Sequence, residues 1–540
     1  MATSKNTAAR LPKFLVIGAG SRGHAYARAV TNATNGVIHA VAEVDAFKRR
    51  EFGKRYIWGI GSPAEGQEFA DWKEWLQWEK SRRETVWSGN GDGDGEQATG
   101  VDGVFICTLD EMHVEILLAI APLNLHMLCE KPLATSLQDC LAVSRALKEN
   151  KCLESRIFSI GHVLRYSPHN TILRKLLLED RVVGEVLSLE HTEPVGWYHF
   201  SHSFVRGNWR RETANGDGSL LTKCSHDIDF ILWLLCYPPP GATYGYPYHS
   251  PQSITSLGTL TQFRQSRKPV AAGNATNCLS CPAEKDCIYS ALKIYRDRFL
   301  SKGRTGWPIK IVCPDIEDTF KTYGMAAAES LLLKTLAEDY DKATTPAATV
   351  AARPWFGRCV YEADNNVLED QVVTLSWVDD PLPETTASST GGMDMHARLH
   401  GRGAKTATLH MISTTESQCE RRGRVYGTLG ELSYDGKTIT SYDFGSGETT
   451  VVTVPEVPPE ETEAHGGGDY GLTRAFVKAV EAVDGLGWEV GKAQREIIGC
   501  TFDEALRSHA TVFAAEEARR NGKVVGWREW WDAKQREIGM

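Results

Sequence analysis

The sequence predicts a two-part α/β protein: an N-terminal doubly wound parallel sheet, then a larger α/β region built on an open, mainly antiparallel sheet. Three observations carry that reading. Over roughly the first 160 residues, strand-like apolar runs alternate with helix-length amphipathic stretches. A glycine turn joins the first strand to the first helix. From residue 370 onward, short strands follow one another with turn signals between them, and helical patterns return only near the end. The expected division is 1–155 and 156–540.

In order, "KFLVIGAG" reads as strand and turn and "SRGHAYARAVTN" as helix. "VIHAVAEVD" and "VDGVFICT" are further strands, "EMHVEILLAIA" is a helix and "LHMLCEKP" a strand. The helix "SLQDCLAVSRALKEN" and the strand "RIFSIGHV" close the alternation. Residues 56–100 interrupt it with five tryptophans. Trp72, Trp75 and Trp78 recur at helical spacing and predict a packed helix. The glycine–acid run after them resembles a calcium loop beginning at Asn90. Its twelfth position is Val101, where a bidentate Glu is required, so it reads as a solvated loop.

Beyond residue 240, "PPPGATYGYPYHSP" is a loop and 278–345 is mainly helical. The strand series is "QVVTLSWV", "MHARLHGR", "KTATLHMIS", "GRVYGTLGELSYDGKTITSY" and "TTVVTV", with "DDPLPETTASSTGGMD" as an exposed connection. "GLTRAFVKAVEAV" and "FDEALRSHATVFAAEEARRNG" are the closing helices.

At 540 residues the chain exceeds a single core. Its 42% hydrophobic and 24% charged content is that of a globular protein. The net charge of −9 is spread without a basic stripe, which argues against nucleic acid. No apolar run reaches membrane-spanning length. "MATSKNTAARLPK" lacks the apolar centre of a signal peptide and is short for a transit peptide. The thirteen cysteines, many in apolar stretches (Cys107, Cys129, Cys236), fit reduced thiols and a cytoplasmic setting.

Gly18, Gly20 and Gly23 hold the G-x-G-x-x-G spacing between an apolar strand and a helix, the context of a Rossmann dinucleotide site. The first glycine makes the turn, the second lets backbone approach a pyrophosphate, and the third lets helix and strand pack. Ser21 and Arg22 open the helix, whose N–H groups attract phosphate. Glu43 ends the second strand, where an acid accepts from a ribose 2′-OH and favours NAD over NADP. Arg22 and Lys48–Arg50 leave NADP open.

Together with this turn, "VFICTLDEMH", "CEKPLA" and "GHVLRYSP" resemble the glucose–fructose oxidoreductase/inositol dehydrogenase/rhizopine catabolism family. "RGNWRR", "KCSHDID", "GRCVYEADNNV" and "HGGGDYGL" resemble one oxidoreductase branch of it, so the likeness runs from about residue 12 to 525. The resemblance implies a Rossmann domain and a second domain whose open sheet covers the site and often carries subunit contacts. It implies that Thr108, His113, Glu130 and Lys131 stand at the cofactor, with Lys131 beside the nicotinamide and Pro132 holding the turn. Two charges at a sheet mouth thus have a ligand to serve, the lysine steadying a reacting oxygen or relaying its proton. A surface ion pair is the plainer alternative.

By the same resemblance His226, near the start of a helix, is the general acid/base, which suits an imidazole. The family's usual acid four residues earlier is here Thr222, which cannot tune the ring electrostatically. Lys223 finds an i,i+4 partner in Asp227, the pattern of a surface pair. Arg165, Tyr166 and His162 follow a strand where relatives line the substrate cleft. The loop at 465–469 either brings His465 and Asp469 over the site or caps the next helix.

Cys278, Cys281 and Cys287 form C-x2-C-x5-C, a structural zinc knuckle if a fourth ligand exists. Cys313 is the candidate in sequence, and packed thiols or a disulfide are the alternatives. The family chemistry needs no metal. The leading expectation is therefore an NAD(P)-dependent oxidoreductase acting on a secondary hydroxyl of a sugar, cyclitol or polyol, and the family's habit of subunit contacts implies a homo-oligomer. The alternatives are glycoside cleavage through transient oxidation and a non-catalytic dinucleotide sensor, the last motivated by Thr222.

Overall fold

The computed structural model describes residues 10–87, 100–212, 218–236, 246–383, 395–462 and 465–537. The glycine–acid loop expected after Trp87, and parts of the connections expected near 240 and 385, lie outside them. The first sheet holds β1 (Lys13–Ile17), β2 (Val37–Ala42), β3 (Glu68–Phe69), β4 (Gly103–Ile106), β5 (His126–Cys129) and β6 (Phe158–Ile160). Its order is β3-β2-β1-β4-β5-β6 and every pairing is parallel. The strands read as continuous apolar runs because helices cover both faces, and β1, β4 and β5 are buried almost throughout. The strand order reverses between β1 and β4, which opens a ligand crevice beyond their carboxyl ends.

The tryptophan stretch forms the helix Trp72–Trp87, with Trp75 fully buried against the sheet. β6, the outer strand, lies past residue 155.

The second sheet comprises β7 (Val186–Pro194), β8 (Ser253–Thr259), β9 (Asp370–Trp377), β10 (Lys405–Ile412), β11 (Arg422–Gly427), β12 (Gly430–Tyr434), β13 (Ile439–Asp443), β14 (Thr449–Val452) and β15 (Val525–Gly526). Its order is β14-β13-β12-β11-β7-β10-β9-β8-β15, and only the β10–β7 pair is parallel. β9 alternates buried and half-buried residues, the signature of a sheet with one face on the core. That face packs on the helices Ser219–Leu235 and Phe502–Asn521.

Two expectations fail here. "MHARLHGR" includes a helical turn, Met395–Arg398, rather than a strand. β7, the central strand, went unread because "VLSLEHTEP" carries Glu190, His191 and Glu193. Two of those polar residues are buried: His191 bonds Asp227 and Tyr434, and Glu193 pairs with Lys223 and Arg421. The region 278–345 is less helical than its pattern suggests. It consists of short 3-10 and π turns before one long helix, Ile316–Leu336, which breaks at Gly324.

The last third of the chain returns to the first sheet. The helix Gly468–Val480 packs on Ser21–Ala33, and the Phe476 ring lies 5.8 Å from Phe14. This return carries residues 465–469 to the crevice.

Candidate active site

The turn after β1 has the backbone its glycines predict. Gly18 has φ +94°, and a Cβ there would lie 2.6 Å from the Cys107 carbonyl oxygen. A Cβ at Gly23 would lie 2.1 Å from the Gly18 oxygen, so that glycine serves packing. A Cβ at Gly20 would meet nothing within 4 Å. Open space at that one position, ahead of a helix with no side-chain cap and no acid in its first turn, fits a pyrophosphate. The crevice holds about 1070 Å³ and is lined by Gly18, Gly20, Ser21, Arg22, Glu43 and Thr108 among others. Its far wall comes from the second region, through Asn208, Trp209, Lys310 and Phe356.

Glu43 is engaged at this turn: its carboxylate accepts the Ala19 N–H at 2.7 Å and the Asp45 N–H at 2.9 Å. Thr108 Oγ1 is buried and has no hydrogen-bond partner, a free group at the crevice wall.

Glu130 and His113 hold the frame behind the crevice. Glu130 accepts from Arg22 Nε at 2.7 Å and from the Tyr26 hydroxyl. Burial alone would raise its pKa, but Arg22, the Tyr26 bond and Lys131 hold it below the ordinary carboxylate value. Arg22 also forms a bidentate pair with Asp469 at 3.0 and 2.7 Å, tying the phosphate helix to Gly468–Val480. With both forks occupied, Arg22 is committed to carboxylates rather than to a 2′-phosphate. His113 Nδ1 lies 2.7 Å from the Pro132 carbonyl and, fully buried, pins the Glu130–Pro132 turn from behind.

Lys131 stands just beyond the carboxyl end of β5. Its ammonium donates to the Thr222 carbonyl at 2.6 Å, on the first turn of Ser219–Leu235. Burial lowers its pKa, opposed by Asp110 and Glu130. Asp110 takes the Trp209 indole N–H at 3.0 Å, and its own pKa is pushed up to about 6 by burial, against Lys131 and His113. Neither Asp110 nor Trp209 carries a sequence signal of this meeting.

His226 lies one helical turn beyond Thr222, fully within the protein, and its ring is 6.1 Å from that of His465. Thr222 Oγ1 merely bonds back to the Gly218 carbonyl. The neighbouring Asp227 brings Oδ2 to 3.2 Å from His226 Nε2. Arg421 Nη2 approaches the same nitrogen at 2.6 Å while its Nε bonds Asp227 at 2.6 Å. Burial drives the His226 pKa well below its ordinary value, with Asp227 pulling up and Arg421 and Lys131 pushing down. Arg421 cannot give up its proton, so Nε2 accepts and the ring hydrogen sits on Nδ1. Nδ1 is buried and unpartnered.

The surface-pair reading of Lys223 is wrong. Lys223 is buried, 2.9 Å from Glu193, and donates to Cys419 Sγ at 3.0 Å, while Asp227 belongs to Arg421 and His191. Arg165 and Tyr166 are likewise drawn away from a cleft. Arg165 grips Asp229 through two 2.7 Å bonds and the Gly499 carbonyl at 3.0 Å, and the Tyr166 hydroxyl donates to the Ile498 carbonyl. His162 is 3.0 Å from Asp229 and stacks on His509. His465 reaches the site region: it is exposed, 3.3 Å from Asp469, with φ +54°. The loop at 465–469 thus combines the two roles, since Asp469 both opens a helix and binds Arg22.

A parallel sheet in this order, with a ligand crevice at its switch point, is the architecture of a dinucleotide-binding domain. Residues 12–157 match the family described as "Oxidoreductase family, NAD-binding Rossmann fold". That match spans the segment that carries the glycine turn and the Glu130–Pro132 corner, the motifs that resemble the glucose–fructose oxidoreductase/inositol dehydrogenase/rhizopine catabolism family. Among curated relatives, 2,7-anhydro-N-acetylneuraminate hydratase of Escherichia coli is 32% identical over 26% of this chain and 36% of its own length. Inositol 2-dehydrogenase of Paracoccus denitrificans is 26% identical over 29% of this chain and 42% of its own. The chain therefore spans between about a third and two fifths of the curated relatives it matches. A solved levoglucosan dehydrogenase in complex with NADH and levoglucosan superposes with TM-score 0.55 at 13% identity, over 96% of this chain and 99% of its own. An oxidoreductase from Agrobacterium radiobacter, in complex with NAD+, L-tartaric acid and magnesium, superposes with TM-score 0.54 at 12% identity, over 96% and 98%. These likenesses extend the shared fold through both sheets. Among the described residues no helix is long and apolar enough to cross a membrane.

Proposed function

We propose that this protein is an NAD-dependent oxidoreductase acting on a secondary hydroxyl, or the matching ketone, of a sugar, cyclitol or related polyol. The observation that carries the reading is a crevice that opens on an uncapped phosphate helix, with Lys131 at the end of β5 bonded to the helix that carries His226. Gly18–Arg22 and the helix N-terminus hold the pyrophosphate, and Thr108 offers a free hydroxyl along the wall. The bound nicotinamide supplies the hydride acceptor or donor.

Lys131 keeps N–H groups beyond the one given to Thr222, and these hold the reacting oxygen and stabilise charge developing there. Because Arg421 occupies His226 Nε2, the ring offers its Nδ1–H as a second donor and orients that oxygen. In oxidation the hydroxyl proton passes to Lys131 in its neutral amine form, which burial favours, and the ammonium so formed holds the new carbonyl oxygen; reduction returns the proton. Glu43 at the end of β2 puts negative charge where a 2′-phosphate would sit, which supports NAD over NADP.

The test is a panel of sugars, cyclitols and polyols with NAD and NADP, followed at the reduced-nicotinamide absorbance. Turnover with at least one polyol and a preference for NAD are expected. Tight NAD binding without turnover of any substrate would refute the enzyme. Lys131→Met and His226→Gln separate the two roles: the glutamine retains an N–H donor and much of the activity, whereas a general-base histidine would not be replaced by it. A redox-neutral second reading, cleavage or hydration through transient oxidation, has the hydratase name of one relative in its favour. Product formed without net change in NAD would select it.

A further inference from the structure

Between β8 and β9 the chain leaves the second sheet and builds a small core of its own around Ile294, Tyr295, Leu300 and Leu332. At the root of this excursion four cysteines converge. An isolated antiparallel bridge, Asn277 with Arg358, sets Cys278 beside Cys359. The Cys278 N–H bonds the Gly357 carbonyl at 2.9 Å and the Cys359 N–H bonds the Thr276 carbonyl at 2.8 Å. A tight turn brings Cys281 back, its N–H on the Cys278 carbonyl at 3.4 Å. Cys287 completes the group, with Cys278 and Cys281 as neighbouring thiols, as Cys359 has Cys278.

Cys313, the fourth ligand expected from sequence, is not among them. Its thiol donates to Thr335 Oγ1 at 3.3 Å, and its charged neighbours are Glu338 and Asp315.

A buried charge points to a bound cation here. The Cys278 sulfur accepts the Ala291 N–H at 3.4 Å. Beside it Arg206 is 1% exposed. Its Nε donates to the Arg358 carbonyl at 2.6 Å, and its Nη2 to the Tyr289 carbonyl at 2.8 Å and Cys278 Sγ at 3.5 Å. Its Nη1 has no hydrogen-bond partner, and none of these acceptors is a carboxylate. A buried guanidinium among neutral groups is costly. Four thiolates around a divalent ion leave a net negative charge and neutralise it.

We propose that Cys278, Cys281, Cys287 and Cys359 form a structural zinc site, with Arg206 as its buried counter-charge. Each thiol releases a proton to solvent, four Zn–S bonds form, and no group changes oxidation state. Among the described residues no three His, Cys, Asp or Glu side chains already stand at metal-binding spacing. Closure therefore turns the partly exposed Cys281, Cys287 and Cys359 inward onto the buried Cys278. The site braces the crevice, because Arg206 ends the π-helical turn Ser201–Arg206, and Asn208 and Trp209 just beyond it line the dinucleotide wall.

The test uses the full chain produced in zinc-supplemented medium and freed of loose metal by gel filtration. Elemental analysis should find about one zinc per chain, falling to about a tenth or less in Cys359→Ser and Cys287→Ser and unchanged in Cys313→Ser. Should the serine variants fail to fold, titrating the unaltered protein with a mercurial in the presence of a chromophoric chelator should release the same zinc. Absence of zinc with an intact mass lowered by disulfide formation would overturn the proposal. So would iron with acid-labile sulfide, or zinc kept by Cys359→Ser and lost by Cys313→Ser.

Discussion

The phosphate turn and the charged centre around His226 are assembled differently. Gly18, Gly20 and Gly23 lie within six consecutive residues, and two of them are explained by contacts to neighbouring backbone at 2.6 and 2.1 Å. The His226 centre draws Lys131 from the first sheet, Glu193 from β7, Arg421 from just before β11 and His465 from a C-terminal loop. A local device can be altered one atom at a time. A device made of mutually buried charges fails as a unit, because removing one member leaves the others unpaired in low dielectric.

The sharpest way to break the contrast is Arg421→Leu. It strips Asp227 and Glu193 of their shared cation, and unfolding free energy should fall by about 3–5 kcal/mol in denaturant titration. Unchanged stability would mean the centre is not a coupled unit. Next in size, Lys131→Ala should lower kcat about a hundredfold or more, roughly 3 kcal/mol, while NAD affinity measured by fluorescence titration stays nearly intact. Retained turnover would return Lys131 to a structural pair with Glu130.

A smaller, pH-dependent difference should separate wild type from His226→Gln. The folded ring stays neutral well below its ordinary pKa, whereas the unfolded chain takes up a proton near pH 6.5. Below that pH the unfolded state binds more protons, so the stabilisation present above it is lost as pH falls. The extra loss of wild type over the variant should be about 0.7 kcal/mol per pH unit near pH 6.5 and approach about 1.4 a unit or more below it, read from midpoints at matched pH. Parallel curves would show that burial does not hold the ring neutral. The smallest effect on the fold belongs to Gly20→Ala, since its Cβ meets no protein atom within 4 Å. Its melting temperature should match wild type while NAD affinity drops about tenfold, about 1.4 kcal/mol, the methyl group occupying ligand space.

How much of this could be read from the chain follows the same division. The parallel sheet, the turn and the Glu130–Pro132 corner were legible because their signals are short in sequence: apolar strands, G-x-G-x-x-G, and a charge pair after β5. β7 was not, because its polar residues are satisfied only by partners more than thirty positions away, His191 by Asp227 and Tyr434. Arg165 pointed toward substrate by its place after a strand, and the structure spends it on Asp229, a residue sixty-four positions on. The cysteine spacing announced three members of a cluster, while the fourth, Cys359, is supplied by a bridge between segments eighty-one residues apart. The sequence by itself determined the dinucleotide fold and which residue types could do chemistry, since backbone geometry and hydrophobic periodicity are local properties. Tertiary structure alone decided which charges neutralise one another and which remain for a ligand, because that depends on desolvation and on distances set only when remote segments pack.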